Sequence, residues 1–318
     1  MSETISVIGA GAWGTALAVL LARAGKPVTL WMRNPETAAE LTRTRHNPRL
    51  PNAILPENLR LTAELPTADI LLMAVPTQHL RAILTQLPPS PAPLVLCCKG
   101  LESGTLSLPP ELTGTRPTAM LTGPNFAHEI AANLPAAAVL ATPDPTLRAA
   151  LMTALKTSTL RLYGSPDIIG AALGGAAKNV IAIAAGAVIG AGLGENARAA
   201  LITRGLAEIA RLAAALGGRA ETVSGLSGLG DLLLTCTGPS SRNFSLGFAL
   251  GEGQTLTEIL ANRASVTEGI TTAPALLARA AAAGVEMPIT EAVTQLLAGQ
   301  TSIAETMATL MGRALKDE

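Results

Sequence analysis

The chain reads as an α/β half followed by an all-α half, and three observations predict this. Up to about Ser165, short apolar strand-like runs alternate with helical stretches. A glycine-rich turn joins the first strand to the first helix. After Pro166 the strand signals stop, and nearly everything to Lys316 has helical spacing, broken by Gly and Pro. Strands alternating with helices imply a parallel sheet covered on both faces, with ligands bound at the carboxyl ends of its strands. The boundary is placed near Ser165, giving domains 1–165 and 166–318 with no long linker and no internal repeat.

The first strand covers residues 4–8. Gly9-Ala10-Gly11-Ala12-Trp13-Gly14 follows at once, and then an apolar helix from Thr15. Strand, G-x-G-x-x-G and helix in that order is the context a dinucleotide-binding turn requires. The first glycine makes the tight turn, the second lets backbone approach the pyrophosphate, and the third lets helix pack on strand. Gly9, Gly11, Ala12, Trp13 and Gly14 are therefore expected to bind a dinucleotide in a Rossmann-like domain.

The second strand, 27–33, ends in Arg33-Asn34, and no acid appears before Glu36. NAD-selective proteins place an Asp or Glu there for the ribose 2′-hydroxyl. Arg33 instead suits a 2′-phosphate and can stack on adenine. NADPH is the first expectation and NAD the second, with Arg33 and Asn34 at the nucleotide; the plain alternative is a solvated arginine. Further strands are predicted at 68–75, 93–98, 118–122, 136–142 and 159–163, with helices at 78–87 and 145–156. The all-α half is predicted to hold helices at 167–191, 196–216, 257–261, 272–283, 289–298 and 302–313, with breaks such as Gly217-Gly218 and Gly238-Pro239.

Composition narrows the function classes. The 318 residues are 48% hydrophobic and carry 23 basic and 23 acidic side chains. Large cores can be buried, and there is no field that gathers nucleic acid. Aromatics are only 2%, so Ala and Leu do the packing, which favours close helices over a β-sandwich. The N-terminus reads directly as a strand without a secretory signal, and Cys97, Cys98 and Cys236 suit a reducing compartment, so a cytoplasmic location is expected. No spacing resembles a metal site, and His46, His79 and His128 read as surface or loop residues. The apolar stretch 168–194 is tested as a membrane span. Lys178-Asn179 interrupts it, and the remainder, 180–194, is short and holds four glycines. A buried core helix is the better reading.

Lys178 is the anomaly in that helix. Burying an ammonium is costly unless it is paired, and desolvation lowers a lysine pKa towards the range useful for proton transfer. The alternative is a lysine snorkelling to water from a helix edge. Lys99 stands at the carboxyl end of a predicted strand, where ligands bind, or is a routine strand-end lysine. Asp231 follows a glycine-rich bend and either serves a ligand or Lys178, or caps the helix begun by Leu232-Leu233-Leu234. Ser241-Arg242-Asn243 offers a hydroxyl, a forked cation and an amide, a good phosphate-binding set or else a polar loop.

Gly175-Ala176-Ala177-Lys178-Asn179-Val180-Ile181-Ala182 resembles the signature of NAD(P)-dependent glycerol-3-phosphate dehydrogenase, bacterial soluble type. So do the opening glycine turn, Lys99-Gly100-Leu101-Glu102, Gly123-Pro124-Asn125-Phe126-Ala127 and Gly225-Leu226-Ser227-Gly228-Leu229-Gly230-Asp231-Leu232. Ser241-Arg242-Asn243 and Val266-Thr267-Glu268-Gly269 complete the series in family order across most of the chain. The resemblance implies reduction of dihydroxyacetone phosphate to sn-glycerol 3-phosphate for phospholipid synthesis, and a helical domain like that of 6-phosphogluconate dehydrogenase. It assigns Lys178 as the proton-transfer residue. It gives Lys99, Gly123, Asn125, Lys178, Asp231, Ser241, Arg242 and Asn243 to the substrate, with Lys99 and Arg242 also touching the cofactor. Ala127, Val266 and Glu268 go to the cofactor, and a homodimer is implied.

Ala12 and Asn125 depart from the hydroxyl residues common in relatives, and Ala177 is smaller than usual. A sister dehydrogenase acting on another hydroxy acid is a rival reading, opposed by Ser241-Arg242-Asn243, which suits a phosphate. A non-catalytic NADPH sensor is another, opposed by Lys99, Lys178 and Asp231 together, none of which a sensor needs.

Overall fold

The structure, a computed structural model, describes residues 3–261 and 267–313. Two compact units are present, Met1–Lys99 with Ser107–Ala172, and Gly100–Leu106 with Leu173–Glu318.

The first unit holds β1 (Ile5–Ile8), α1 (Ala12–Arg23), β2 (Val28–Trp31), α2 (Pro35–Thr44), β3 (Arg60–Thr62), β4 (Ile70–Met73), α3 (Thr77–Leu84) and β5 (Leu94–Leu96). After a 3₁₀ turn at Pro109–Leu112 come β6 (Thr118–Thr122), α4 (Ala127–Ala131), β7 (Ala136–Ala141), α5 (Pro145–Leu155) and β8 (Leu160–Ser165). The strands form one sheet in the order β3-β2-β1-β4-β5-β6-β7-β8. Strand β1 pairs with β2 on one side and β4 on the other, Val7 opposite both Leu30 and Leu72. The order reverses there, and ligands of open α/β sheets bind outside the strand ends at such a point.

One pairing departs from the parallel sheet expected from sequence: β6 and β7 run antiparallel. Their link contains only α4, five residues long. Five helical residues span roughly 7.5 Å, against about 17 Å for a five-residue strand, so that helix cannot carry the chain back for a parallel return. Helix α1 is buried on nearly every side, with Leu17, Val19, Leu20 and Leu21 packed with Val7, Leu30, Leu72 and Val95 of the sheet in one core. Sequence reading passed over β3, α2 and α4.

The second unit is helical. Helix α6 (Ile168–Gly190), within which the division between units falls, leads to α7 (Gly194–Ala215) and α8 (Ala220–Val223). A π-helical turn at Leu226–Gly230 runs straight into α9 (Asp231–Cys236). Then come α10 (Arg242–Gly251), α11 (Leu256–Ala261), α12 (Glu268–Ala282), α13 (Pro288–Leu297) and α14 (Ile303–Met311). Helix α6 is long and apolar enough to cross a membrane, yet 89% of its most apolar stretch is buried inside the protein. It is a core helix, as its sequence suggested.

Glycines on α6 and α10 bring the two backbones together. A Cβ on Gly186 would lie 2.0 Å from Phe244 O, and one on Gly247 would lie 1.9 Å from Ile183 O. A Cβ on Gly190 would lie 2.1 Å from Phe248 O, and one on Gly251 would lie 2.4 Å from Ala187 O. This contact fixes the register of Ser241-Arg242-Asn243, at the start of α10, against Lys178 on α6.

Glu208 on α7 is a buried acid, 2% exposed, that caps α13. Its carboxylate accepts from Ile289 N at 2.7 Å and from Thr290 N and Oγ1, each at 3.4 Å. Burial outweighs these bonds and the nearby Arg211, raising its pKa to about 7. A carboxyl whose folded pKa lies above its unfolded value keeps a proton that the unfolded chain has released. Its contribution to stability therefore falls as pH rises from about 4.5 to 7. Unfolding free energy should be about 2 kcal/mol more favourable to the fold at pH 5.5 than at pH 7.5 from this group alone. Urea titrations of wild type and Glu208→Gln at both pH values check this. Equal slopes with pH in the two proteins would show that Glu208 does not titrate in this window.

Candidate active site

The glycine turn has the geometry its sequence demands. Gly9, directly after β1, has φ +116°, and a Cβ there would meet Ala74 O at 2.7 Å. A Cβ on Gly14 would sit 2.0 Å from Gly9 O, so helix and turn touch only because both residues are glycine. Gly11 is the N-cap of α1, and a Cβ on it would point into open space. No side chain caps this helix end. Its first N–H groups and positive dipole end are thus presented to the space above Gly11, a cradle that fits a pyrophosphate. Ala12 and Trp13 form its first turn, and Trp13 Nε1 beside it is a buried donor with no protein acceptor.

Asn47, which sequence reading missed, braces the turn. Its Nδ2 donates to Ala10 O at 3.1 Å and to Thr15 Oγ1 at 2.7 Å. Arg33 is exposed just beyond β2. Asn34 caps α2, its Oδ1 accepting from Thr37 N at 3.0 Å, so that oxygen serves the helix.

Further along the same sheet, Lys99, Gly123 and Asn125 come together. Lys99 Nζ lies 3.5 Å from Gly123 O, and Lys99 O accepts from Thr77 Oγ1 at 3.0 Å. Gly123 has φ +147° and no room for a side chain, with Ala138 Cα 3.1 Å from a Cβ position. Asn125 Nδ2 donates to Ala137 O at 3.1 Å, which leaves its buried Oδ1 without a partner. The amide thus offers an acceptor where a hydroxyl offers both donor and acceptor. Ala127 opens α4.

In the helical unit, Lys178 on α6 forms an ion pair with Asp231, and its Nζ donates to Thr235 Oγ1 at 2.9 Å. Asp231 is wholly buried and Lys178 is 8% exposed. Thr235 Oγ1 in turn donates to Asp231 O at 2.6 Å, closing a three-residue cluster. The lysine is therefore neither snorkelling nor unpaired: the carboxylate offsets its desolvation and favours the ammonium form. Gly230 occupies the N-cap of α9, so Asp231 is not the helix cap that its sequence context allowed. Gly174 explains how Asp231 reaches Lys178. It lies one helical turn before the lysine on the same face, and a Cβ there would meet Ser227 O at 2.6 Å. The glycine-rich turn thus lies directly on α6. Thr235 was missed in the sequence, although its i+4 spacing from Asp231 on one helix was the available signal.

Ser241-Arg242-Asn243 is not a loop. Ser241 is the N-cap of α10, its hydroxyl accepting from Phe244 N at 3.2 Å, and Arg242 and Asn243 form the first turn. Arg242 is exposed and Asn243 buried. Glu268 is half-buried at the start of α12. Val266, expected at the cofactor, lies outside the described residues.

Among the described residues no cluster of His, Cys, Asp or Glu fits a metal ion. His46, His79 and His128 are all exposed, the latter two on helices α3 and α4. Burial pushes the Cys236 thiol up to about 12 and that of Cys97 higher still, so neither is a thiolate nucleophile near neutral pH.

The first unit carries a cradle that fits a pyrophosphate, and the second a buried ammonium paired with a carboxylate. Family comparison decides where such a chain belongs. Residues 4–148 match the model of the NAD-dependent glycerol-3-phosphate dehydrogenase N-terminus, and residues 167–308 that of its C-terminus. The chain belongs to the NAD-dependent glycerol-3-phosphate dehydrogenase family. The "glycerol-3-phosphate dehydrogenase [NAD(P)+]" of Acidiphilium cryptum is 61% identical over 317 residues, 98% of each chain. That of Gluconobacter oxydans is 55% identical over 97% of each. A crystal structure of glycerol-3-phosphate dehydrogenase from Coxiella burnetii superimposes with a TM-score of 0.93 at 38% identity, covering 98% of this chain and 99% of that one. As a glycerol-3-phosphate dehydrogenase family member, the chain holds Lys99 beside Gly123 in one unit and Lys178 paired with Asp231 in the other.

Proposed function

We propose that the protein catalyses the reversible NAD(P)H-dependent reduction of dihydroxyacetone phosphate to sn-glycerol 3-phosphate, supplying glycerophospholipid synthesis in the cytoplasm. The observation that carries this is the buried Lys178 ammonium, held by Asp231 and Thr235 in a chain of this family. The nucleotide supplies the hydride. As negative charge develops on the ketone oxygen, Lys178 delivers a proton to it, and in the reverse direction the neutral amine takes the alcohol proton. Asp231 and Thr235 aim Nζ and keep the ammonium form ready.

Domain 1–165 holds the nucleotide through Gly9, Gly11, Ala12, Trp13, Gly14, Arg33, Asn34, Lys99 and Ala127. Domain 166–318 supplies Lys178, and adds Arg242, Val266 and Glu268 to the nucleotide contacts. The substrate is held by Lys99, Gly123, Asn125, Asp231, Ser241, Arg242 and Asn243. An exposed Arg242 at the positive end of α10 suits the phosphate dianion. A homodimer is the expected assembly.

The test is NADPH oxidation by the purified protein. Consumption should require dihydroxyacetone phosphate and be absent with dihydroxyacetone. Equal turnover of the two ketones would pass the protein to a sister dehydrogenase of the same fold. Arg33→Asp should shift the ratio of kcat/KM for NADPH over NADH towards NADH, because a 2′-hydroxyl acceptor replaces a phosphate-attracting cation. An unchanged ratio would leave Arg33 as a surface residue.

A further inference from the structure

Two side-chain amides close a ring of hydrogen bonds around the first turn of α12. Gly269 N donates to Asn243 Oδ1 at 3.0 Å, and Asn243 Nδ2 donates to Asn179 Oδ1 at 2.9 Å. Asn179 Nδ2 then faces a carboxylate oxygen of Glu268 at 3.5 Å. Both ends dictate direction. A backbone N–H can only donate and a carboxylate can only accept, so each amide has one orientation that satisfies both neighbours. Asn179 and Asn243 are 4% and 8% exposed, so a mismatch is not relieved by water. Gly269 leaves no slack, because a Cβ there would lie 2.6 Å from Asn243 Oδ1 and 2.9 Å from Asn179 O. Asn179 is the residue after Lys178 on α6. The ring therefore references the starts of α10 and α12 to the helix that bears the proton donor.

We propose that Asn179 is a positioning residue, which sets Glu268 for the nucleotide and Asn243 for the substrate from the helix carrying Lys178. This rests on the roles given above to Glu268 and Asn243. Asn179 does this through its neighbours, since its oxygen is engaged by Asn243 and its nitrogen faces Glu268. The consequence is a shared dependence: disturbing one amide displaces groups serving both ligands while leaving the proton donor with Asp231 and Thr235.

Asn179→Asp tests this with almost no change of shape. It keeps the acceptor for Asn243 and turns the other end from a donor into a carboxylate opposing Glu268. In Glu268→Gln the opposing group can become a donor, which repairs the mismatch. The two single variants and the double variant complete a cycle, read by calorimetric Kd for NADPH, by KM and kcat with dihydroxyacetone phosphate, and by unliganded Tm. Asn179→Asp should weaken NADPH binding about tenfold in the wild-type background and less than about threefold in the Glu268→Gln background. KM for the ketone should rise in parallel, with kcat at saturation within about threefold of wild type. The unliganded Tm lost in Asn179→Asp should be largely recovered in the double variant. Equal costs in both backgrounds, or no cost in either, would overturn the proposal. Should Asn179→Asp not fold, Asn179→Ala is read in the wild-type background, where Kd for NADPH and KM for the ketone should rise together, with kcat within about threefold, and no change in either would overturn the proposal. A protein inert towards the ketone would defeat the functional reading alone, because NADPH Kd and unliganded Tm need no turnover.

Discussion

Lys178→Ala should lower kcat by about 10²–10⁴, the usual worth of a positioned general acid or base. The ion pair adds a second expected result. Considered as a lone charge in an apolar helix, Lys178 would leave the fold unharmed or more stable when removed. Its carboxylate partner, however, is wholly buried, and removing the ammonium strands that charge. Breaking such a pair costs about 3–5 kcal/mol, far more than truncating a solvated lysine. The two effects separate in Lys178→Ala/Asp231→Asn, which removes both charges. That double variant should regain much of the lost Tm and none of the lost kcat. NADPH binding, measured on the same preparations by fluorescence, should persist in both, since the glycine turn is untouched. Near-normal turnover in a folded Lys178→Ala protein would sink the mechanism.

What was readable in the sequence follows from how local the constraint is. The turn from Gly9 to Gly14 was legible because two close approaches, at Gly9 and Gly14, and an open face at Gly11 place three glycines at fixed spacing within six residues of chain. Helix α6 was legible because its apolar length and the Lys178-Asn179 interruption are contiguous. Strand β3, three residues ending at Thr62, is too short for alternation to show, and α2 opens with a proline that reads as a turn. The antiparallel step at β6–β7 depends on the span of a five-residue helix, which no hydrophobic pattern reports.

In the candidate site, residue types were legible and partners were not. Lys178 stood out by its apolar surroundings, but Asp231 lies 53 residues away and Thr235 57. Ser241 looked like a loop hydroxyl, because a cap is recognised only once the helix after it is known. Glu208, Asn47 and the amide of Asn179 are buried polar groups satisfied by distant backbone or side chains. Their worth appears only in three dimensions.

The close approach of α6 and α10 leads to a large expected loss of stability from the addition of one methyl group. Gly247→Ala adds one methyl, and its carbon would lie 1.9 Å from Ile183 O and 2.7 Å from Ile183 C. These are backbone atoms in the middle of a buried helix, so no rotamer change can make room. The helices must separate by more than 1 Å, which opens the contacts of Gly186, Gly190 and Gly251 at the same time. Overpacking of a well-filled core typically costs 1–3 kcal/mol, and a clash with backbone belongs at or above the top of that range, about 3 kcal/mol or more. The helical gain of Ala over Gly, up to about 1 kcal/mol, offsets only part of it. Gly238→Ala is the matched control, because nothing lies within 4 Å of a Cβ there and its φ is not in the left-handed region. It should change stability by no more than about 0.5 kcal/mol. Because α10 begins with Ser241, Arg242 and Asn243, separation of the helices should also raise KM for the phosphorylated ketone in whatever Gly247→Ala protein remains folded. Urea midpoints and KM on both variants decide it. A Gly247→Ala protein as stable as the Gly238→Ala control would mean that α6 and α10 do not pack backbone to backbone.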